Sequence, residues 1–277
     1  MTDLAWLEVT RGEAPLVVGM PHTGTEIPPE IEATLVSTWL ARRDADWWIE
    51  SLYDFALELG ATVVRTRISR TVIDANRDPS GASLYPGQAT TELCPTTTFD
   101  GEPLYREGCG PDDAEIARRR ETWFAPYHAA LQAQVDRLRS VHPHVVLYDA
   151  HAIRSVIPRL FDGELPNFNI GTNNGATCDP ALEAAVAAAC DVPGLTRVVN
   201  GRFRGGYTTR HYGQPGAGVH AIQMELACRS YMAEPAPPTP DNWPTPLDPH
   251  RAEPTRAALR RALQACIAFA ERQRDRP

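Results

Sequence analysis

The chain has 277 residues, of which 43% are apolar and 22% charged, and a formal net charge of −8. That size supports one large α/β core with loop insertions, and the negative balance argues against nucleic acid or an anionic membrane as partner, since both need a basic footprint. All 27 basic residues are arginine, which excludes Schiff-base and pyridoxal phosphate chemistry and a P-loop lysine but retains the planar fork that grips carboxylates.

The six cysteines, Cys94, Cys109, Cys178, Cys190, Cys228 and Cys266, form no Cys-x-x-Cys pair and read as free thiols in a reducing compartment. Residues 1–10 lack a signal-peptide pattern and no apolar run reaches membrane-spanning length, so the expected location is the cytoplasm.

In chain order, residues 14–20 predict a buried strand that breaks into Pro21-His22-Thr23-Gly24. Residues 44–59 predict one amphipathic helix with Asp44 as N-cap and Asp46, Glu50 and Asp54 on one face. Strands are expected over 60–66 and 69–74, the second ending in Asn76 and Arg77, which are placed to grip a carboxylate or to pair with Asp74 or Asp78. Residues 79–111, rich in Gly, Pro and Thr, read as a lid, a binding loop or an insert. A long helix over 112–140, kinked or divided at Pro126, leads to a buried strand, Val145 to His151, where alternation turns Asp149 and His151 to one side. Two readings of that pair stand, a core hydrogen bond or chemistry at a strand end.

Beyond it come a loop-rich passage at 157–179, an alanine-rich helix at 180–191 and a strand at 197–200. Next is the segment Gly201 to Gly213, dense in glycine and arginine, which lacks the strand and helix context of a dinucleotide site. The strand over 219–226 places Gln223 and Glu225 on one face. A proline-rich surface connector at 235–250 and an amphipathic helix over 251–274 close the expected single domain of residues 1–277.

His22, Asp46 and His151 come from three separate segments, and two imidazoles with one carboxylate form a usual catalytic zinc set that leaves a position for water. Glu225 is then the candidate general base. No His-Glu-x-x-His pair is present, and Asp44 and Glu50 remain rivals to Asp46 as acidic ligand.

The order of segments 21–24, 44–48, 69–77, 160–166 and 200–213 resembles the N-formylglutamate amidohydrolase (deformylase) family from about residue 14 to 232, the arginine-glycine segment being the most specific. This family is distantly similar to zinc carboxypeptidases. The resemblance implies an α/β fold with a mixed central sheet flanked by helices, of carboxypeptidase-like (phosphorylase/hydrolase-like) architecture. It also implies hydrolysis of the small molecule N-formyl-L-glutamate to formate and glutamate in histidine breakdown, with Zn2+ or another divalent metal as cofactor. Position by position, His22, Asp46 and His151 match the metal ligands and Glu225 the base. Asn76 and Arg77 match a carboxylate-holding pair, Arg210 is expected to take the second carboxylate, and Arg70 or Arg154 to stabilise the oxyanion. Ala152 and Thr23 depart from the residues common there. Two alternatives are a zinc amidohydrolase for another N-acyl amino acid and a non-catalytic binder of small dicarboxylates; oligomeric state is left open.

Overall fold

The computed structural model describes residues 4–84 and 87–272; residues 85–86 of the long loop and 273–274 of the expected closing helix lie outside the described residues. Seven strands, β1 (Leu7–Thr10), β2 (Leu16–Met20), β3 (Thr62–Thr66), β4 (Val145–Ile153), β5 (Phe168–Gly171), β6 (Arg197–Val199) and β7 (Val219–Ala227), form one sheet in the order β1-β3-β2-β4-β7-β5-β6. The central strands β3, β2, β4 and β7 are parallel, while β1 and β5 run antiparallel to their neighbours β3 and β7. The expected mixed, helix-flanked α/β sheet is therefore what forms.

The helices are α1 (Pro29–Glu32), α2 (Thr38–Arg43), α3 (Ile49–Leu52), α4 (Asp113–Arg119), α5 (Ala125–Arg139), α6 (Pro180–Ala189), α7 (Tyr207–Tyr212) and α8 (Pro249–Arg272). Strand alternation sorts the core into two layers. Val18, Tyr148 and Ile222 pack against α6 and α8, whereas Val17, Leu147 and Ala221 pack against α5. All nine residues of β4 are buried, as expected of a parallel strand covered on both faces. Because the four central strands share one direction, the segments leaving β2, β4 and β7 meet at one rim of the sheet, where crevices form in open α/β folds. Among the described residues, no helix is long and apolar enough to cross a membrane.

Several local expectations are corrected. Residues 44–59 are not one helix. Asp44 ends α2 instead of starting a helix, and Trp48 takes a left-handed backbone with φ of 66° before α3 begins. The interruption lets the Asp46 amide donate to the carbonyl of His22 at 3.0 Å, so a helix is given up to place Asp46. Residues 69–74 form a turn, not a strand: Thr71 N donates to Ser69 Oγ at 3.2 Å and Val72 N to the Ser69 carbonyl at 2.9 Å.

The long helix divides as expected near Pro126, through a π-type turn over Arg120–Phe124; Pro126 has no N–H to continue the ladder. The passage 157–179 contains β5, and β1 lies where the sequence predicts no strand. The connector at 235–250 is not purely superficial. Trp243 is buried, donates through Nε1 to the Arg43 carbonyl at 2.9 Å and accepts at its own carbonyl from Trp39 Nε1 at 3.0 Å.

Candidate metal centre and catalytic cavity

His22 leaves the end of β2, Asp46 stands in the break between α2 and α3, and His151 lies near the end of β4. Their side chains converge although all three are buried. Nδ1 of His151 is 3.1 Å from Nδ1 of His22 and 3.0 Å from Oδ2 of Asp46, and His22 Nδ1 is 3.7 Å from the same oxygen. Ligand atoms bonded at 2.0–2.2 Å in a tetrahedron sit roughly 3.3–3.6 Å apart, so the spacing fits a common cation. Among the described residues, this is the one group of three such side chains close enough to hold a metal. Asp44 is not part of it: its Oδ2 accepts from the Phe99 amide at 2.7 Å. Glu50 faces Arg65 instead.

Behind each histidine stands a second carboxylate. Asp74 Oδ1 is 2.7 Å from His22 Nε2, and Asp149 Oδ2 is 2.8 Å from His151 Nε2. A proton on each Nε2 satisfies both contacts and turns the Nδ1 lone pairs inward, the arrangement that orients imidazoles toward a metal. Two lone pairs and a carboxylate at such distances repel one another until a cation or a proton stands between them. Electrostatics point the same way. Burial opposes charge on His151, but Asp149 and Asp46 hold it protonated well above the usual histidine range. Burial likewise opposes charge on Asp46, yet hydrogen bonds from His151 and His22 keep its carboxyl well below the usual range.

The other expected residues divide into those that face the cavity and those that build its walls. Asn76 lines it, but its amide is committed: Nδ2 donates to Asp149 Oδ2 at 3.1 Å and lies 3.0 Å from His151 Nε2, while Oδ1 accepts from Thr208 N at 2.8 Å. Gly206 permits that contact, because a Cβ there would stand 2.4 Å from Asn76 Nδ2. Arg70 lines the cavity beneath Phe99, with Nη2 donating to Asp74 Oδ2 at 2.7 Å and Nη1 3.4 Å from Asp46 Oδ1. Arg77 lines it too and donates through Nε to the Thr91 carbonyl at 3.0 Å.

Arg154 is not among the cavity-lining residues; it pairs with Asp44 and Asp100, whose second partner is Arg43, and this cluster fixes the loop that carries Phe99. Arg210 also departs from expectation. On the short α7, Thr208, Thr209 and Tyr212 point inward, and Arg210 donates to the Gly205 carbonyl outside the cavity lining. Arg202, eight positions earlier, lines the cavity instead.

Glu225 enters from the end of β7, opposite His151 in the β4–β7 register. Its Oε2 accepts from Gln223 Nε2 at 3.0 Å, and Gln223 Oε1 accepts from Gly206 N at 2.8 Å. Burial pushes the Glu225 carboxyl up to about 7 against the opposing pull of His151. The sequence pattern assigns no role in the site to three groups, Asp74, Gln223 and Arg202. Period-two alternation marks Gln223 as a face partner of Glu225, but nothing local links Asp74 to a histidine 52 positions away.

The N-formylglutamate amidohydrolase family model matches residues 14–232. The chain belongs to that family. It is 47% identical over 264 residues to the N-formylglutamate deformylase of Pseudomonas aeruginosa and 45% identical to that of Pseudomonas putida, in both cases across 95% of this chain and 96% of the relative. Among solved structures, the N-formylglutamate amidohydrolase of Ralstonia eutropha superposes with a TM-score of 0.79 at 22% identity, covering 98% of this chain and all of that one. An Agrobacterium tumefaciens gene product superposes with a TM-score of 0.67 at 17% identity, covering 96% of this chain and 95% of that one. At such identities the two structures show the fold alone.

Proposed function

We propose that the protein hydrolyses N-formyl-L-glutamate to formate and L-glutamate, with a divalent cation, zinc in the first instance, held by His22, Asp46 and His151. The observation that carries this reading is the buried trio of donors beside Glu225, in a chain nearly half identical to two deformylases along almost its whole length. When bound, the ion supplies Lewis-acid polarisation of the formyl carbonyl and acidifies water at the site.

The side chains supply the rest. Glu225 takes a proton from the attacking water and passes it to the amide nitrogen as the carbon–nitrogen bond breaks. Gln223 fixes the carboxyl group for that transfer. Arg70, held by Asp74 and packed under Phe99, presents positive charge where the carbonyl oxygen becomes anionic. Arg77 grips a substrate carboxylate, while Asn76 serves by locking His151 and Asp149. Arg154 acts at one remove, through the ion-pair cluster that seats Phe99. The family relationship supports a place in histidine degradation and a cytoplasmic location.

The test is formate release from N-formyl-L-glutamate, compared with N-acetyl and N-succinyl glutamate and with N-formyl-aspartate. Activity on the first that is lost to a chelator and restored by Zn2+ is the expected result. Preference for another acyl group would favour a related amidohydrolase, and tight dicarboxylate binding with no hydrolysis would favour a binding protein.

A further inference from the structure

The catalytic cavity has a volume of about 50 Å³, room for roughly four water molecules. A substrate of a dozen heavy atoms needs more. One wall is the segment 89–91, and two cationic side chains hold that wall from different elements. Arg77 donates through Nε to the Thr91 carbonyl at 3.0 Å and through Nη2 to Thr91 Oγ1 at 3.2 Å, with Nη2 also 3.7 Å from the buried Asp74 Oδ2. Arg202 donates through Nη2 to the Ala89 carbonyl at 2.9 Å. The Arg202 fork is itself oriented: Nε donates to the Leu160 carbonyl at 2.7 Å and the guanidinium lies 5.2 Å from the centroid of the Phe203 ring.

We propose that Arg202 and Arg77 are the two carboxylate receptors of the site, and that the Ala89 and Thr91 carbonyls hold their guanidinium groups until a dicarboxylate displaces them. A carboxylate is the stronger acceptor, since charge-assisted hydrogen bonds are about twice as strong as those to a neutral carbonyl. Both arginines are already fixed in orientation, so little side-chain freedom is lost when the acceptor changes. The exchange also enlarges the cavity, because withdrawing 89–91 joins it to a neighbouring space of about 540 Å³ that shares Arg77, Thr90 and Thr91 as its wall. Arg202 thus takes the role expected of Arg210. This inference rests on the dicarboxylate substrate proposed above and adds the residue that selects it.

The test is Arg202→Gln, which keeps a donor for the loop carbonyls and removes the charge. Three substrates are compared: N-formyl-L-glutamate, N-formyl-L-glutamine with its side-chain carboxylate capped, and N-formyl-L-isoglutamine with its α-carboxylate capped. The native protein is expected to disfavour each capped substrate on the order of 10- to 100-fold in kcat/KM. In Arg202→Gln one of these preferences disappears, chiefly through a raised KM for the uncapped substrate, while the other stays. A uniform loss on all three substrates, or an unchanged ranking, overturns the assignment.

Binding of glutarate against butyrate by calorimetry gives a readout without turnover. The native preference for glutarate is expected to fall at least about 10-fold in the variant, and an equal ratio in both proteins overturns the assignment. A native protein that binds glutarate through Arg202 but leaves N-formyl-L-glutamate intact would sink the proposed reaction and leave the receptor standing.

Discussion

The Nδ1 atoms of His22 and His151 face one another 3.1 Å apart, although 129 positions separate them in the chain. The parallel pairing of β2 with β4 makes this possible, because the two neighbours end at the same rim. Each imidazole is held from behind by its own carboxylate, yet the two supports are unequal. Asp74 also pairs with Arg70 and accepts from the Asn76 amide at 2.9 Å. Asp149, besides His151, receives the Asn76 side chain.

That inequality predicts different costs for the two histidines. His22→Ala leaves Asp74 compensated by Arg70. His151→Ala leaves Asp149 and Asp46 short of partners, and an uncompensated buried carboxylate is strongly destabilising. Both variants are expected to lose bound metal and activity. In urea denaturation with chelator present, His151→Ala should be the less stable of the two by about 1–3 kcal/mol. Equal stability would mean that the supporting carboxylates are not balanced as described.

The carboxylates behind the ligands also predict metal affinity. Asp149→Asn keeps the shape of the site but weakens the hold on His151, which should lower metal affinity about 10- to 100-fold. Competition against a chromophoric chelator measures this directly, and native affinity in the variant would remove Asp149 from the metal site.

The sheet, its central strands and two of the three converging donors are legible in the sequence, because hydrophobic runs ending in Pro21-His22 and in Asp149-Ala150-His151 carry their own meaning. It hid whatever tertiary demands override. Periodicity through 44–59 argued for a helix, but Asp46 reaches the histidines only because the chain turns left-handed at Trp48. Arg202 and Arg210 lie in one glycine-rich segment, and nothing in its residue pattern distinguishes Arg202, which lines the cavity, from Arg210, which α7 carries outside its lining. Asp74 is legible as a local partner of Arg77 and Arg70, but its contact with His22 spans 52 positions and carries no local signal.

Glu225→Gln separates proton transfer from metal binding. The amide remains within reach of Gln223 and touches none of the three candidate ligand side chains, so metal content should be unchanged. Turnover should fall by about 100-fold or more, the scale of a lost general base. Native turnover would remove Glu225 from the reaction.

Gly206 offers a packing test of the same site. A methyl group there would meet Asn76 Nδ2 at 2.4 Å, whereas one at Gly216 would meet nothing within 4 Å. Gly206→Ala should push the Asn76 amide off His151 and Asp149, costing about 1–3 kcal/mol of stability together with activity. Gly216→Ala should leave both within error. Comparable activity in the two variants would show that the Asn76 contact does not position His151.

Acid sensitivity follows from two buried histidines away from the candidate metal site. Burial pushes His128 down to about 4 against the pull of the Ala75 carbonyl, and His211 adds repulsion. Burial and the neighbouring His144 likewise push His220 down to about 4. An unfolded histidine titrates near 6.5, so between pH 6.5 and 4 the unfolded chain binds more protons than the folded one. Stability from these groups is complete above about pH 6.5 and declines as pH falls to 4, by roughly 3 kcal/mol for the more deeply enclosed His128 and by less for the better-screened His220. Urea unfolding at pH 7, 5.5 and 4.5 measures the slope. His128→Gln should fold less stably at pH 7, since His128 lies 3.0 Å from the Tyr212 hydroxyl and 2.8 Å from the Ala75 carbonyl. It should nonetheless show a shallower decline, because one titrating group is gone; an unchanged slope would mean that His128 is not held neutral by the fold.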